Sequence, residues 1–179
     1  MSSFESSTIE LGQERSPQFE RLLTSISHHF LRLDATNLEV GIVGALRSIC
    51  EATGADRAVL LEISKNGTEK IASAHTYSDD DISWRPDGLT GQSIHQMSWL
   101  AGLLLRREII HISSLEDLPV SAGPEREFFN TQSLQSVVCV PLFADSDLQA
   151  ITCFAAKESK QDWRPAHIGF FHGATEILG

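Results

Sequence analysis

Seven histidines and three cysteines are the side chains of this sequence best suited to chemistry, and their spacing restricts that chemistry. His28 and His29 are adjacent. On a helix they point about 100° apart, so they do not share a metal as an i, i+4 pair does. His167 and His172 are five residues apart and also miss a common face. No ligand spacing recurs, and no native metal site is expected. Asp79, Asp80 and Asp81 form an acidic run. Consecutive acids alternate in direction and need a dedicated loop to converge on one ion, so the run reads as a solvated loop. Asp87-Gly88-Leu89-Thr90-Gly91 carries glycine without lysine and is read as a loop. Neither a phosphate-binding glycine loop nor a Gly-x-Ser-x-Gly elbow is present. Cys50, Cys139 and Cys153 all lie in apolar surroundings, with no CxxC pair among them. That is neither a secreted disulfide framework nor a zinc site, and buried thiols are ordinarily inert.

These residues must be placed by the elements that carry them. Phe19, Leu22, Leu23, Ile26, Phe30 and Leu33 recur at helical spacing and predict an amphipathic helix over 18–33. Thr36-Asn37-Leu38-Glu39 has a capping-box pattern opening a second helix, and Gly54 is a natural stop. The period then changes. Asp56 to Ile63 is β-rich, Asn66-Gly67 is a strong hairpin turn, and Glu69 to Tyr77 is the return strand. Ser78 to Thr90 reads as an acidic loop, Gln92 to Arg107 as a helix and Ile109 to Ile112 as a short strand. Gly123-Pro124 opens another helix, with Phe128 and Phe129 inside it. Gln135 to Phe143 and Leu148 to Ala156 make a second hairpin around Asp145-Ser146, and a helix follows Pro165. The order is ααββαβαββα. Strands joined by tight turns are antiparallel neighbours, and the helical insert between the hairpins must cover a face of the sheet.

Composition bounds the partners. The chain has 179 residues, 24 acidic and 14 basic, with a formal net charge of -10. That length allows one domain with a core of its own, plus a polar lead-in over 1–17; the domain is placed at 18–179. An acidic chain without a basic cluster is a poor nucleic-acid binder. The first residues lack the basic and apolar regions of a signal peptide, and no apolar run approaches the length of a membrane span. The expectation is a cytosolic protein with neither nucleic-acid nor membrane partners.

Several segments, in order, resemble a GAF domain, the small-molecule sensor module of signalling proteins. They are Phe19 to Leu23, Thr53 to Ala58, Trp99 to Leu105 followed by Glu108 to Ile112, Leu118-Pro119 followed by Glu125 to Phe128, Ser136 to Leu142, and Trp163. Together they span about residues 19 to 178. The resemblance implies an α+β, PAS-like fold. A five- or six-stranded antiparallel sheet carries the N- and C-terminal helices on one face. Middle helices and loops enclose a pocket on the other. It also implies an unknown small-molecule ligand and a homodimer through the terminal helices. Bacterial sensor histidine kinases and nucleotide cyclases carry GAF domains similar to this one. The final helix runs to Gly179 as in a segment cut from a longer protein.

Within the implied fold, His75, Tyr77, Trp84, His95, Trp99, His111 and Phe128 are the candidate ligand-binding residues. Aromatic and histidine side chains supply area plus a hydrogen bond. Bilin-binding relatives attach their chromophore through a cysteine near the pocket helix. Residues 84 to 107 hold none, so a covalent bilin is disfavoured. The Asn-Lys and Phe-Asp-Glu pattern of cyclic-nucleotide GAF domains is not found. No residue is assigned catalysis. Two alternatives stay open: a GAF-type free methionine sulfoxide reductase using its cysteines, and a dimerisation module whose pocket Trp99 and Phe128 fill.

Overall fold

Proline stands in the first turn of three helices, where its missing N–H has no intrahelical partner to lose. The computed structural model describes residues 16–34, 36–64, 69–79, 88–157, 161 and 163–179. Most of the expected lead-in, the Asn66-Gly67 turn, Trp84 and most of the acidic loop lie outside them. The described elements are α1 (Pro17–Phe30), α2 (Leu38–Thr53), β1 (Arg57–Ile63), β2 (Ile71–Ser78), α3 (Ser98–Leu104), β3 (Ile110–Ile112), α4 (Gly123–Thr131), β4 (Ser136–Ala144), β5 (Asp147–Ala156) and α5 (Pro165–Leu178). Their order is the one expected from the sequence.

The strands form one five-stranded antiparallel sheet in the order β2-β1-β5-β4-β3. Both faces are covered. Ala58, Leu60, Val138, Val140, Phe154 and Ala156 join α1, α2 and α5 in one apolar core. Val59, Leu61, Val137, Cys139, Ile151 and Cys153 join α3, α4 and the nearby loops in a second. On the first face Phe154 stacks on Phe171 of α5 with centroids 4.2 Å apart, and Phe19 of α1 stacks on Phe170 at 4.4 Å. Trp163, buried ahead of α5, donates its indole N–H to the Thr53 carbonyl at 3.1 Å and so secures the end of α2.

Two local readings are corrected. The expected helix over 92–107 is a single 3-10 turn (Ile94–Gln96) followed by the short α3. Met97, at φ -104 and ψ 74, leaves helical geometry between them. Gly91 to Ile94 instead follows the edge of β2: the Ile71 N–H donates to Gln92 O at 2.9 Å, and the Gly91 N–H to Ile71 O at 2.8 Å. The capping box at Thr36 also does not form. Asp34 takes the bonds, accepting from the Thr36 hydroxyl at 2.6 Å and from the Asn37 backbone and side-chain N–H groups. A carboxylate is the stronger acceptor, and these bonds hold its acid strength above that of an ordinary aspartate.

Gly54 ends α2 in the left-handed region, at φ 73 and ψ 19, with its N–H on the Cys50 carbonyl at 2.9 Å. Any other residue meets a Cβ penalty there. Gly54→Ala is expected to cost about 1 kcal/mol and to lower Tm by roughly 2–4 °C in calorimetry; an unchanged Tm would show that the turn relaxes.

Candidate functional site

The second face of the sheet does not close fully on its helices. A cavity of about 110 Å³ remains, well above what one water needs. Its floor is the sheet: Val59 and Leu61 of β1, Ile151, Cys153 and Ala155 of β5, and Val137 and Cys139 of β4. Its roof is Leu100, Ala101 and Leu104 of α3 with Phe128 and Phe129 of α4. Ile71, Leu89 and Leu134 close the sides, and Gln92, Ser93 and Gln96 stand at the rim.

The roof is built by two side chains of α4. Glu125 is fully buried, and its Oε1 accepts from the backbone N–H groups of Trp99 and Leu100 at 3.0 and 3.1 Å. Those are free amides of the first turn of α3, where a carboxylate is favoured. Its other oxygen accepts no hydrogen bond among the described residues. Arg126 donates to the carbonyls of Leu115, at 3.0 Å, and Leu118. One turn of α4 therefore ties α3 to the loop after β3.

Chemically the cavity is quiet. Among the described residues, Arg57 is the one charged lining residue, buried at one end, with Nη1 on the Gln132 carbonyl at 3.0 Å. The rim groups are partly engaged: Ser93 Oγ accepts from the His95 N–H at 3.3 Å, and the Gln96 amide donates to Gln92. Two thiols face the floor. The hydrogen bond from Cys153 and burial push the Cys139 thiol well up. Cys50 lies in the other core, and burial pushes its thiol up as well.

The structure places the seven candidate residues in different surroundings. Phe128 lines the cavity, edge-on to Phe129 at 5.9 Å. Trp99 sits on α3 and packs against the cavity-side core without lining the cavity. His95 is exposed, with Nε2 2.8 Å from Glu69 Oε2. His75, Tyr77 and His111 pair with Leu60, Ala58 and Val138, all of which belong to the terminal-helix core. Directly paired residues share a face, so these three point away from the cavity. His75 instead approaches Glu62 at 3.5 Å, and the His111 ring lies 6.1 Å from that of Trp163. Trp84 is outside the described residues. The lining residues that sequence reasoning passed over are mostly apolar side chains of β1, β4, β5 and α3, which read in the sequence as ordinary core.

A GAF family model matches residues 42–179. The chain belongs to the GAF domain family. Its members are signalling and sensing modules, and the two-faced sheet with terminal helices behind and a roofed cavity in front is the fold expected of them. No curated protein matches the chain. Among solved structures, it is similar to the phycocyanobilin-bound GAF domain of a cyanobacterial phytochrome, with 16% identity, TM-score 0.69, and 91% of this chain and 92% of that one covered. It is also similar to a domain of a putative two-component sensor histidine kinase from Sinorhizobium meliloti, with 16% identity, TM-score 0.57, and 82% and 89% covered. Free methionine-R-sulfoxide reductase of Neisseria meningitidis has 13% identity, TM-score 0.60, and 89% and 85% covered. At such identities the likeness carries the fold alone. Among the described residues, no three His, Cys, Asp or Glu gather to hold a metal ion, and no helix is long and apolar enough to cross a membrane.

Glu125→Ala leaves the buried Leu100 amide and the half-buried Trp99 amide of α3 without their acceptor. The expected loss is roughly 1–3 kcal/mol in urea unfolding, with faster hydrogen exchange at the Trp99 and Leu100 amides. Unchanged exchange at those two amides would show that α3 does not depend on this carboxylate.

Proposed function

We propose that this GAF domain senses a small, uncharged, mainly apolar molecule within a cytosolic signal-transduction protein, such as a two-component sensor histidine kinase. The observation that carries the reading is the roofed cavity on the face of the sheet opposite the terminal helices. Apolar walls favour an apolar guest, and among the described lining residues a charged ligand would find one guanidinium, already bonded to a carbonyl. Occupancy acts as a population shift. A ligand that prefers one arrangement of α3 and α4 changes the balance of states by its difference in affinity, and the change passes through the sheet to α1 and α5. In this reading the chain performs no catalysis of its own.

A panel of uncharged aromatics and short aliphatics, indole and benzene among them, tests this by thermal shift. A ligand at a hundredfold over its Kd adds about 2.7 kcal/mol, a rise of roughly 5–10 °C for a chain of this size. Ala101→Phe, which fills the cavity from α3, is expected to abolish the shift. A panel that leaves Tm unmoved, with Ala101→Phe as stable as wild type, favours the ligand-free dimerisation module instead.

The relay also requires a partner copy, and we propose a homodimer through the terminal helices. Phe19 and Ile26 of α1 are spent on the core, whereas Leu31 at its end is 81% exposed and Val40 at the start of α2 is 73% exposed. Leu31→Glu with Val40→Glu is expected to convert a dimer to a monomer in light scattering without loss of fold. An unchanged mass would move the interface elsewhere.

A further inference from the structure

Cys139 and Cys153 are direct cross-strand partners on β4 and β5, with Sγ atoms 2.7 Å apart. Both line the cavity floor. Cys139 is buried, whereas Cys153 keeps some exposure. The third cysteine, Cys50, lies in the core on the other side of the sheet. Two of the three thiols therefore face each other and the cavity, and the third is walled off.

We propose that Cys139 and Cys153 are a modification site, at which hydrogen peroxide entering the cavity converts the two thiols into a reversible disulfide between β4 and β5. The backbone suits the product. Directly opposed residues of antiparallel strands have Cα atoms about 4.5–5.5 Å apart, inside the range of roughly 4.4–6.8 Å that a disulfide spans. The chemistry balances without a further reactant. The Cys153 sulfur attacks the peroxide, an S–O bond forms, the O–O bond breaks, and one oxygen leaves as water with the Cys153 proton. The Cys139 sulfur then attacks the sulfenic sulfur. The S–S bond forms, the S–O bond breaks, and hydroxide leaves as water with the Cys139 proton. Two thiols are oxidised by two electrons in all, and the peroxide is reduced to two waters. Cys153 is the point of entry because it is the accessible member. The hydrogen bond from Cys153 and burial hold Cys139 protonated, so it is not the thiol that meets the peroxide first. The disulfide removes two S–H groups from the cavity floor and ties the two strands beneath it. None of these steps requires a cavity ligand, so the site stands or falls apart from the sensing reading.

The test treats the folded full chain with hydrogen peroxide, blocks remaining thiols, and counts them after denaturation. The expected count falls from three to one, with the loss of two hydrogens in the intact mass. Chymotryptic peptides carrying Cys139 and Cys153 are expected to be linked, and dithiothreitol is expected to restore all three thiols. Cys50→Ser is expected to form the same link, and Cys153→Ala to form none. The wild-type peptide map decides the matter even if the alanine variant folds poorly. Oxidation of Cys50 ahead of the pair, sulfinic acid at Cys153 without a link, or a link that forms only in urea would each overturn the proposal.

Discussion

The central strands β1, β5 and β4 are apolar on both faces, and the rest of the molecule answers that constraint. Arg57 to Leu61 and Ser136 to Val140 are buried at every position, odd and even alike. Such a strand cannot leave either side to water, since each exposed Val, Leu or Ile would forfeit about 1.5–3 kcal/mol of burial. Two covering layers are therefore required. The long helices α1, α2 and α5 supply one, with stacked Phe154–Phe171 and Phe19–Phe170 pairs. The chain between the hairpins must supply the other, and among the described residues its α-helices there are the short α3 and α4. A layer of two short helices spans the sheet incompletely. The cavity is what remains.

The two layers are held by different physics. The terminal-helix side is dominated by dispersion and burial, which are insensitive to small polar changes. The cavity side depends on Glu125 and Arg126, which tie three segments through a few hydrogen bonds. Local opening is favoured where a few such bonds hold short elements, so the roof is the half suited to respond to a guest. The floor is also close to the opposite layer. Cys153 faces the cavity, while the next residue, Phe154, stacks on α5. A shift of β5 at the floor thus meets the terminal helix one residue later, which gives the relay proposed above a short physical route.

Most of the architecture was legible in the sequence because period is a strong signal. The helical spacing of Phe19, Leu22 and Ile26, the alternation in the hairpins and the stops at Gly54 and Asp145 each point to one local structure. The break at Met97 was not legible, because Leu100, Leu103 and Leu104 continue a plausible helical stripe past it. The cavity lining was largely illegible for a different reason. Histidines and aromatics were selected by type, yet which face a strand residue takes depends on parity. On strands buried on both sides, sequence alternation does not say which parity faces the cavity.

Two β-bulges sharpen that point. Along β2 the pairing with β1 holds from Arg57↔Ser78 to Glu62↔Ser73, then slips by one at Ile63↔Ile71. Ser73, His75 and Tyr77 therefore share one face, while Ile71, of the same odd parity, reaches the cavity. In the second hairpin the turn at Asp145-Ser146 pairs Ala144 with Asp147 and Phe143 with Leu148. Continued unbroken, that register would set Cys139 opposite Thr152. A shift between Leu142 and Phe143 adds one residue to β5 and brings Cys153 opposite Cys139 instead. The thiol pair at the cavity floor is thus a product of one irregularity in the ladder. Neither the hairpin turn nor the strand propensities of Val137 to Val140 encode it alone: the residue that β5 adds at Gln149 has to be taken up inside the ladder, past the turn, for the two sulfurs to meet.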